Sequence, residues 1–188
     1  MRQKEVIPAG DEWVEADIRE FPGSPAKRIG DEWMLLSAAG NVFEDKTNWN
    51  TLTASWGGLG FLWNTAVTFY FIRPSRHTFS FAGKSSLISL SFFNSSYRKA
   101  LEYCGTYSGR DKDKMTETGL TPIVFESGAG QGAVGFKEAK EVIICQKFYT
   151  HDFDPARFEV PEEIGKNYPD GDYHRMFIGK VLSLRVQK

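Results

Sequence analysis

The sequence predicts a mainly β protein, an antiparallel barrel or sandwich carrying a few short helices. Aromatic residues make up 14% of the chain, led by 15 phenylalanines, a composition that suits the pleated, half-buried surface of a sheet. Short runs of β-branched and aromatic residues recur along the chain, each bounded by Gly, Pro, Asn or Ser. Segments with helical signals are few and short, which argues against a parallel sheet built from strand–helix–strand units. At 188 residues, the chain is expected to form one domain, 1–188, around one core that needs neither metal nor disulfide to hold it.

Strand signals fall at Trp33–Ala38, Asn50–Ser55, Val67–Ile72, Leu87–Phe93, Glu141–Tyr149 and Phe177–Val186. Within the fifth, Val142-Ile143-Ile144-Cys145 is an unbroken apolar run, the pattern of a strand buried on both faces. The sixth alternates from Leu182 to Val186, so one of its faces should be exposed. Helices are expected at Ser75–Phe81 with Ser75 as N-cap, and at Ser96–Tyr103, where Tyr97, Ala100 and Leu101 share a face. A third, Asp111–Thr118, is opened by acidic residues and closed by Gly119. The cluster GAGQGAVG, Gly128–Gly135, reads as a hairpin-like turn. In NTLTASWGGLGFLWN, Asn50–Asn64, the glycines Gly57, Gly58 and Gly60 are assigned to the turn after the second strand.

Charge and motif content then exclude several function classes. Lys and Arg total 23 against 24 Asp and Glu, a net charge of −1, so no global field draws the chain to nucleic acid or anionic lipid and any anion site must be local. The N-terminus has no apolar signal-peptide core, and the longest apolar run, Ala66–Ile72, is far short of the ~20 residues that span a bilayer; a cytoplasmic protein is expected. Cys104 and Cys145 have no C-x-x-C partner and no histidine at zinc spacing, and His151 in HDFDP lacks a third ligand, so both cysteines read as reduced thiols and no metal site is expected. No serine sits in a G-x-S-x-G elbow. The stretch GGLG lacks the spacing of either nucleotide-binding glycine fingerprint.

Two basic segments remain as local anion sites. In FIRPSRHTFSF, Arg73 and Arg76 flank a Pro-Ser turn that opens a helix; in CGTYSGRDKDKM, Ser108, Gly109, Arg110, Lys112 and Lys114 form a loop that leads into one. Guanidinium groups fork onto phosphate oxygens and hydroxyl and backbone donors complete such a cradle, although each segment also reads as a solvated charged turn. His174, in GDYHRMFIG, immediately precedes the last strand, where its side chain can project from a barrel rim.

Taken in order, NTLTASWGGLGFLW, RPSRHTFSF, SLSFF, YRKAL, CGTYSGRDKDK, GLTP and YHRMFIG resemble the flavin reductase-like, FMN-binding split-barrel family, flavoredoxin-type members in particular. The resemblance implies a Greek-key split barrel that forms a homodimer with one FMN per subunit. By matched position, Asn50, Thr51, Thr53, Ser55 and Trp56 would line the flavin groove, with strand alternation turning about half of them toward it. Arg73, Ser75, Arg76 and Thr78 would approach ring edge and phosphate, and Ser108, Gly109, Arg110 and Lys114 would complete the phosphate cradle. His174 matches a histidine placed near the nicotinamide in related reductases. The sequence departs from the family pattern at His77, where Tyr is common, and at Thr65-Ala66, where Lys-Pro is common. The function implied is an FMN-dependent oxidoreductase moving electrons between NADH or NADPH and free flavin or a redox partner protein. An electron carrier with tightly held FMN is the alternative, and a flavin-free β-barrel binding module is a third reading.

Overall fold

The computed structural model describes residues 3–127 and 131–188. In chain order the strands are β1 (Ile7–Pro8), β2 (Trp13–Ala16), β3 (Met34–Ala39), β4 (Trp49–Ala54), β5 (Gly57–Leu62), β6 (Thr65–Ile72), β7 (Leu87–Phe92), β8 (Pro122–Ser127), β9 (Gln131–Phe136), β10 (Glu141–Asp152) and β11 (Arg175–Gln187). Short helices punctuate them: α1 (Pro25–Lys27), α2 (His77–Lys84), α3 (Arg98–Thr106), α4 (Lys114–Thr118) and α5 (Glu162–Asn167). One sheet runs β4-β3-β7-β10-β11-β6-β5 with β2 pairing on β11, and a smaller sheet runs β1-β8-β9. Every pairing in the large sheet is antiparallel. The mainly β architecture is the one the composition and strand signals predict.

Apolar side chains on the two faces of the central strands explain why the sheet forms. Leu35, Val142, Ile144 and Phe136 belong to one buried cluster, and Leu36, Leu90, Ile143 and Phe177 to another. Val142 to Cys145 is buried throughout, as its unbroken run predicts, because β7 and β11 flank it and both faces are covered. Packing on this scale, at ~25 cal/mol per Å² of apolar surface removed from water, is the dominant favourable term.

Several local assignments are corrected by the structure. Gly57, Gly58 and Gly60 do not form a turn; they lie in β5, paired with Tyr70, Phe69 and Val67 of β6. The turn comes later, at Trp63 and Asn64, both in the left-handed region at φ 49° and 58°. That is the two-residue hairpin geometry whose twist matches paired strands. Ser75 is not the cap of α2: Arg76 holds that position without a capping bond, and the Ser75 hydroxyl donates instead to Asp172 Oδ2 at 2.6 Å. Gly119 does end α4, in a left-handed conformation, and Asp113 rather than Asp111 caps its start. Of the turn expected across Gly128–Gly135, residues 128–130 lie outside the described residues, and the rest is strand β9.

Candidate functional site

Strand β4, the β6–α2 turn, the α3–α4 loop and the approach to β11 converge on one cleft with two wings. The larger wing, about 560 Å³, is lined by Thr53, Ser55, Trp56, Arg73, Asp172 and His174 among others. A smaller wing of about 260 Å³ is lined by Asn50, Thr78, Cys104, Ser108, Gly109 and Lys114. Leu52, Ser75 and Arg76 belong to both wings and join them. Every site residue expected from the sequence therefore faces this cleft except Thr51 and Arg110. Thr51 is fully buried in the sheet, its hydroxyl donating to the Leu36 carbonyl at 2.9 Å and receiving Ser37 Oγ at 3.1 Å. Alternation along β4 separates it from Asn50 and Leu52. Arg110 is exposed outside the lining, though its charge reaches the cleft, where it helps lower the pKa of His77.

The smaller wing is built around a buried cation. Lys114 is 2% exposed, and its Nζ donates to the carbonyls of Thr51 at 2.7 Å and Cys104 at 2.8 Å. An ammonium has three donors, so one remains for a ligand. Burial lowers the Lys114 pKa to about 8, with Arg76 adding to the shift and the Cys104 thiol opposing it. Asn50, opposite, donates Nδ2 to Thr78 Oγ1 at 2.8 Å, while its Oδ1 is buried without a partner among the described residues. Gly109 passes so close that any Cβ there would overlap Asn50 Oδ1. No carboxylate lines this wing, and His77 is held below the ordinary histidine range by burial first, then by Arg110 and Lys114. The local potential is positive in a chain of net charge −1.

The larger wing differs in kind. Arg73 donates to the carbonyls of Asn167 at 2.8 Å and Asp172 at 3.4 Å, and its guanidinium lies 5.0 Å from the centre of the Tyr168 ring. Asp172 takes the hydroxyl and amide of Ser75. His174 is 5% exposed, and its Nδ1 shares a 2.8 Å hydrogen bond with the Tyr168 hydroxyl. Its ring meets Trp56 edge to face at 5.1 Å. Burial first and the Arg73 charge second depress its pKa to about 4, so the imidazole is neutral at pH 7. Asp172 and Tyr168 are the residues that sequence reading missed. Asp172 sits among turn-forming residues, and its partner Ser75 is 97 positions away, so no local pattern marks it.

With the geometry in place, comparison with solved structures identifies the fold. The chain superimposes on flavoredoxin from Methanosarcina acetivorans with a TM-score of 0.60 at 20% identity, covering 81% of this chain and 67% of that one. An FMN-binding domain of a flavin reductase-like enzyme from Shewanella baltica gives 0.61 at 12% identity, over 93% of this chain and 77% of that one. A candidate flavin reductase with a split barrel domain from Shewanella frigidimarina gives 0.61 at 16%, over 92% and 76%. The fold is thus that of the split-barrel flavoproteins, as the ordered sequence segments imply. No protein-family model matches the chain, and no curated protein matches its sequence.

Proposed function

We propose that the chain binds FMN in the two-winged cleft and works as an FMN-dependent oxidoreductase, drawing on NADH or NADPH and delivering electrons to free flavin or a protein acceptor. The observation that carries this reading is the smaller wing, where, among the described residues, a buried ammonium has an unused donor beside a buried amide oxygen with no partner. A phosphate monoester carries close to two negative charges and many acceptor oxygens, and a ribityl chain supplies hydroxyl donors, so one ligand meets both needs. Lys114, Ser108 and the Gly109 backbone would hold the phosphate end, and Asn50 and Thr78 the sugar-alcohol chain. With the phosphate held by the buried ammonium of the smaller wing, the larger wing is left to the ring, beside Ser55, Trp56, Arg73 and His174. The fold neighbours described as FMN-binding and flavin reductase-like support the same cofactor.

When bound, FMN supplies the redox chemistry, accepting a hydride and releasing electrons singly or in pairs. The residues of this chain orient, screen and exclude water. With the Tyr168 hydroxyl donating to Nδ1, the stronger phenol donor would leave the proton of the neutral His174 on Nε2.

A second reading, an electron carrier that keeps its FMN and has negligible nicotinamide activity, is favoured by the neighbours described as flavoredoxin. Mixing FMN-loaded protein with NADPH and then NADH, and following flavin absorbance, separates the two: rapid bleaching supports the reductase, and none supports the carrier. We also propose a homodimer in a reducing, cytoplasmic compartment, in keeping with two buried free thiols.

A further inference from the structure

Buried polar atoms without partners mark more than one place in the molecule. Asn50 Oδ1 marks the cleft; Trp13 Nε1 and Arg185 Nε, both buried and both without an acceptor among the described residues, belong to side chains that line a second cavity. That cavity has a volume of about 410 Å³ and shares no lining residue with the cleft. Val6, Val42, Val124 and Phe125 give it an apolar wall.

Strand pairing puts the two side chains on one face. In the antiparallel β2–β11 ladder Glu15 stands opposite Arg185 and Trp13 opposite Gln187, so Trp13 and Arg185 are diagonal neighbours on one face. Arg185 gives Nη2 to Glu15 at 3.0 Å, an ion pair that fixes the guanidinium and leaves its Nε unused. Trp13 is 9% exposed and locked edge to face against Phe125, ring centres 5.2 Å apart. Both orphans are donors, and a buried donor destabilises the fold until an acceptor meets it. Lys46 and Glu126 on the same lining offset each other's charge, which excludes a polyanion and leaves an apolar body with one polar end.

We infer that this cavity binds a small apolar molecule ending in a carbonyl or carboxylate oxygen, its body against Val6, Val42, Val124 and Phe125 and its oxygen accepting from Trp13 Nε1–H and Arg185 Nε–H. The volume lies within the range of about 300–1,000 Å³ common for small-molecule sites. This inference does not depend on FMN binding in the cleft.

The test uses the full chain with its tryptophan indoles labelled with ¹⁵N, the Trp13 signal being assigned by its loss in Trp13→Phe. Hexanoate is titrated as the acid probe and hexanamide as the uncharged one. The expected result is a saturable downfield shift of the Trp13 indole proton with half-saturation below about 1 mM, while the Trp56 signal in the cleft stays in place. By calorimetry, Trp13→Phe and Arg185→Gln each weaken the better-bound probe about ten-fold or more; retained indole shifts elsewhere show that each variant is folded. Equal binding of both probes identifies a carbonyl acceptor, and preference for hexanoate identifies a carboxylate selected by Arg185. No saturable shift with either probe up to about 10 mM, or unchanged affinity in both variants, overturns the inference and assigns the two donors to trapped water.

Discussion

Lys114 holds a charge where water barely reaches, and this sets how the site should respond to pH. Its folded pKa of about 8 lies below the ordinary 10.5, so the unfolded chain binds the proton more readily and stability rises with pH between those values. A bound phosphate favours the ammonium, so FMN affinity should fall as pH rises above 8, by up to about ten-fold per unit. Fluorescence titrations of FMN at pH 7 and 9.5 check this, and Lys114→Met should flatten the dependence. His77 supplies an independent readout. Its pKa is pushed down by burial and by Arg110 and Lys114, so a bound anion that neutralises those cations should raise it, visible as a shifted proton-NMR titration of its ring. At His174, Tyr168→Phe removes the Nδ1 partner. That change should cost about 1 kcal/mol in urea denaturation and move the His174 ring nitrogen signals. Ser108, Gly109 and Lys114 were legible as residue types suited to an anion cradle, and Asn50 as a groove residue by family resemblance. The direction each faces was not, since Thr51 differs from Asn50 only by one step of strand alternation.

Among the elements, β5 tests how glycine is read. Three glycines in six residues signal a turn, yet here they let one edge strand lie flat against β6. A side chain at Gly58 would collide with the Phe69 ring, and Gly57, at φ 148°, would push a Cβ into the Phe69 carbonyl. Gly60 faces open space. Gly57→Ala should therefore lower the melting temperature, by roughly 2–4 °C for each kcal/mol lost. Gly60→Ala should leave it unchanged or raise it, since the substitution removes only chain entropy of the unfolded state. Equal losses at both positions would count against this account of the strand. The six marked strands carry β-branched and aromatic runs. Strand β9 was hidden by the glycines of its sequence although it is mostly buried, and β8 was not marked although it too is mostly buried. Strands β5, β2 and the short β1 carry exposed or mixed residues, so that tertiary pairing rather than local pattern makes them strands.

For the molecule as a whole, acid sensitivity follows from the burial of one histidine. The His174 pKa of about 4 lies below the ordinary histidine value of 6.5, so the unfolded chain takes the proton first. Stability should decline as pH falls from 6.5 toward 4 and level off below, with a slope on the order of 1 kcal/mol per pH unit; His174→Gln should lose that decline in pH-resolved denaturation. The edge of the large sheet exposes Phe61 and Trp63 at 69% and 80%, an apolar display uncommon on a monomer. If the homodimer proposed above forms through this edge, a second copy would cover it, and Trp63→Glu should then give a monomer in sedimentation experiments; an unchanged sedimentation coefficient would count against this interface. The alternation of buried and exposed strands made the fold class readable from sequence, whereas the pairing of β1 with β8 and the closure of the cleft by Asp172 and Tyr168 depend on contacts between distant segments. Among the described residues no helix is long and apolar enough to cross a membrane.

The most direct test is an equilibrium titration of flavin-free protein with FMN and, separately, with riboflavin, followed by visible absorbance and flavin fluorescence. FMN should saturate at one per chain and bind at least about ten-fold more tightly than riboflavin, and Lys114→Met should erase most of that difference. Absence of saturable FMN binding, or equal affinity for FMN and riboflavin in the native chain, would contradict the assignment of the cleft.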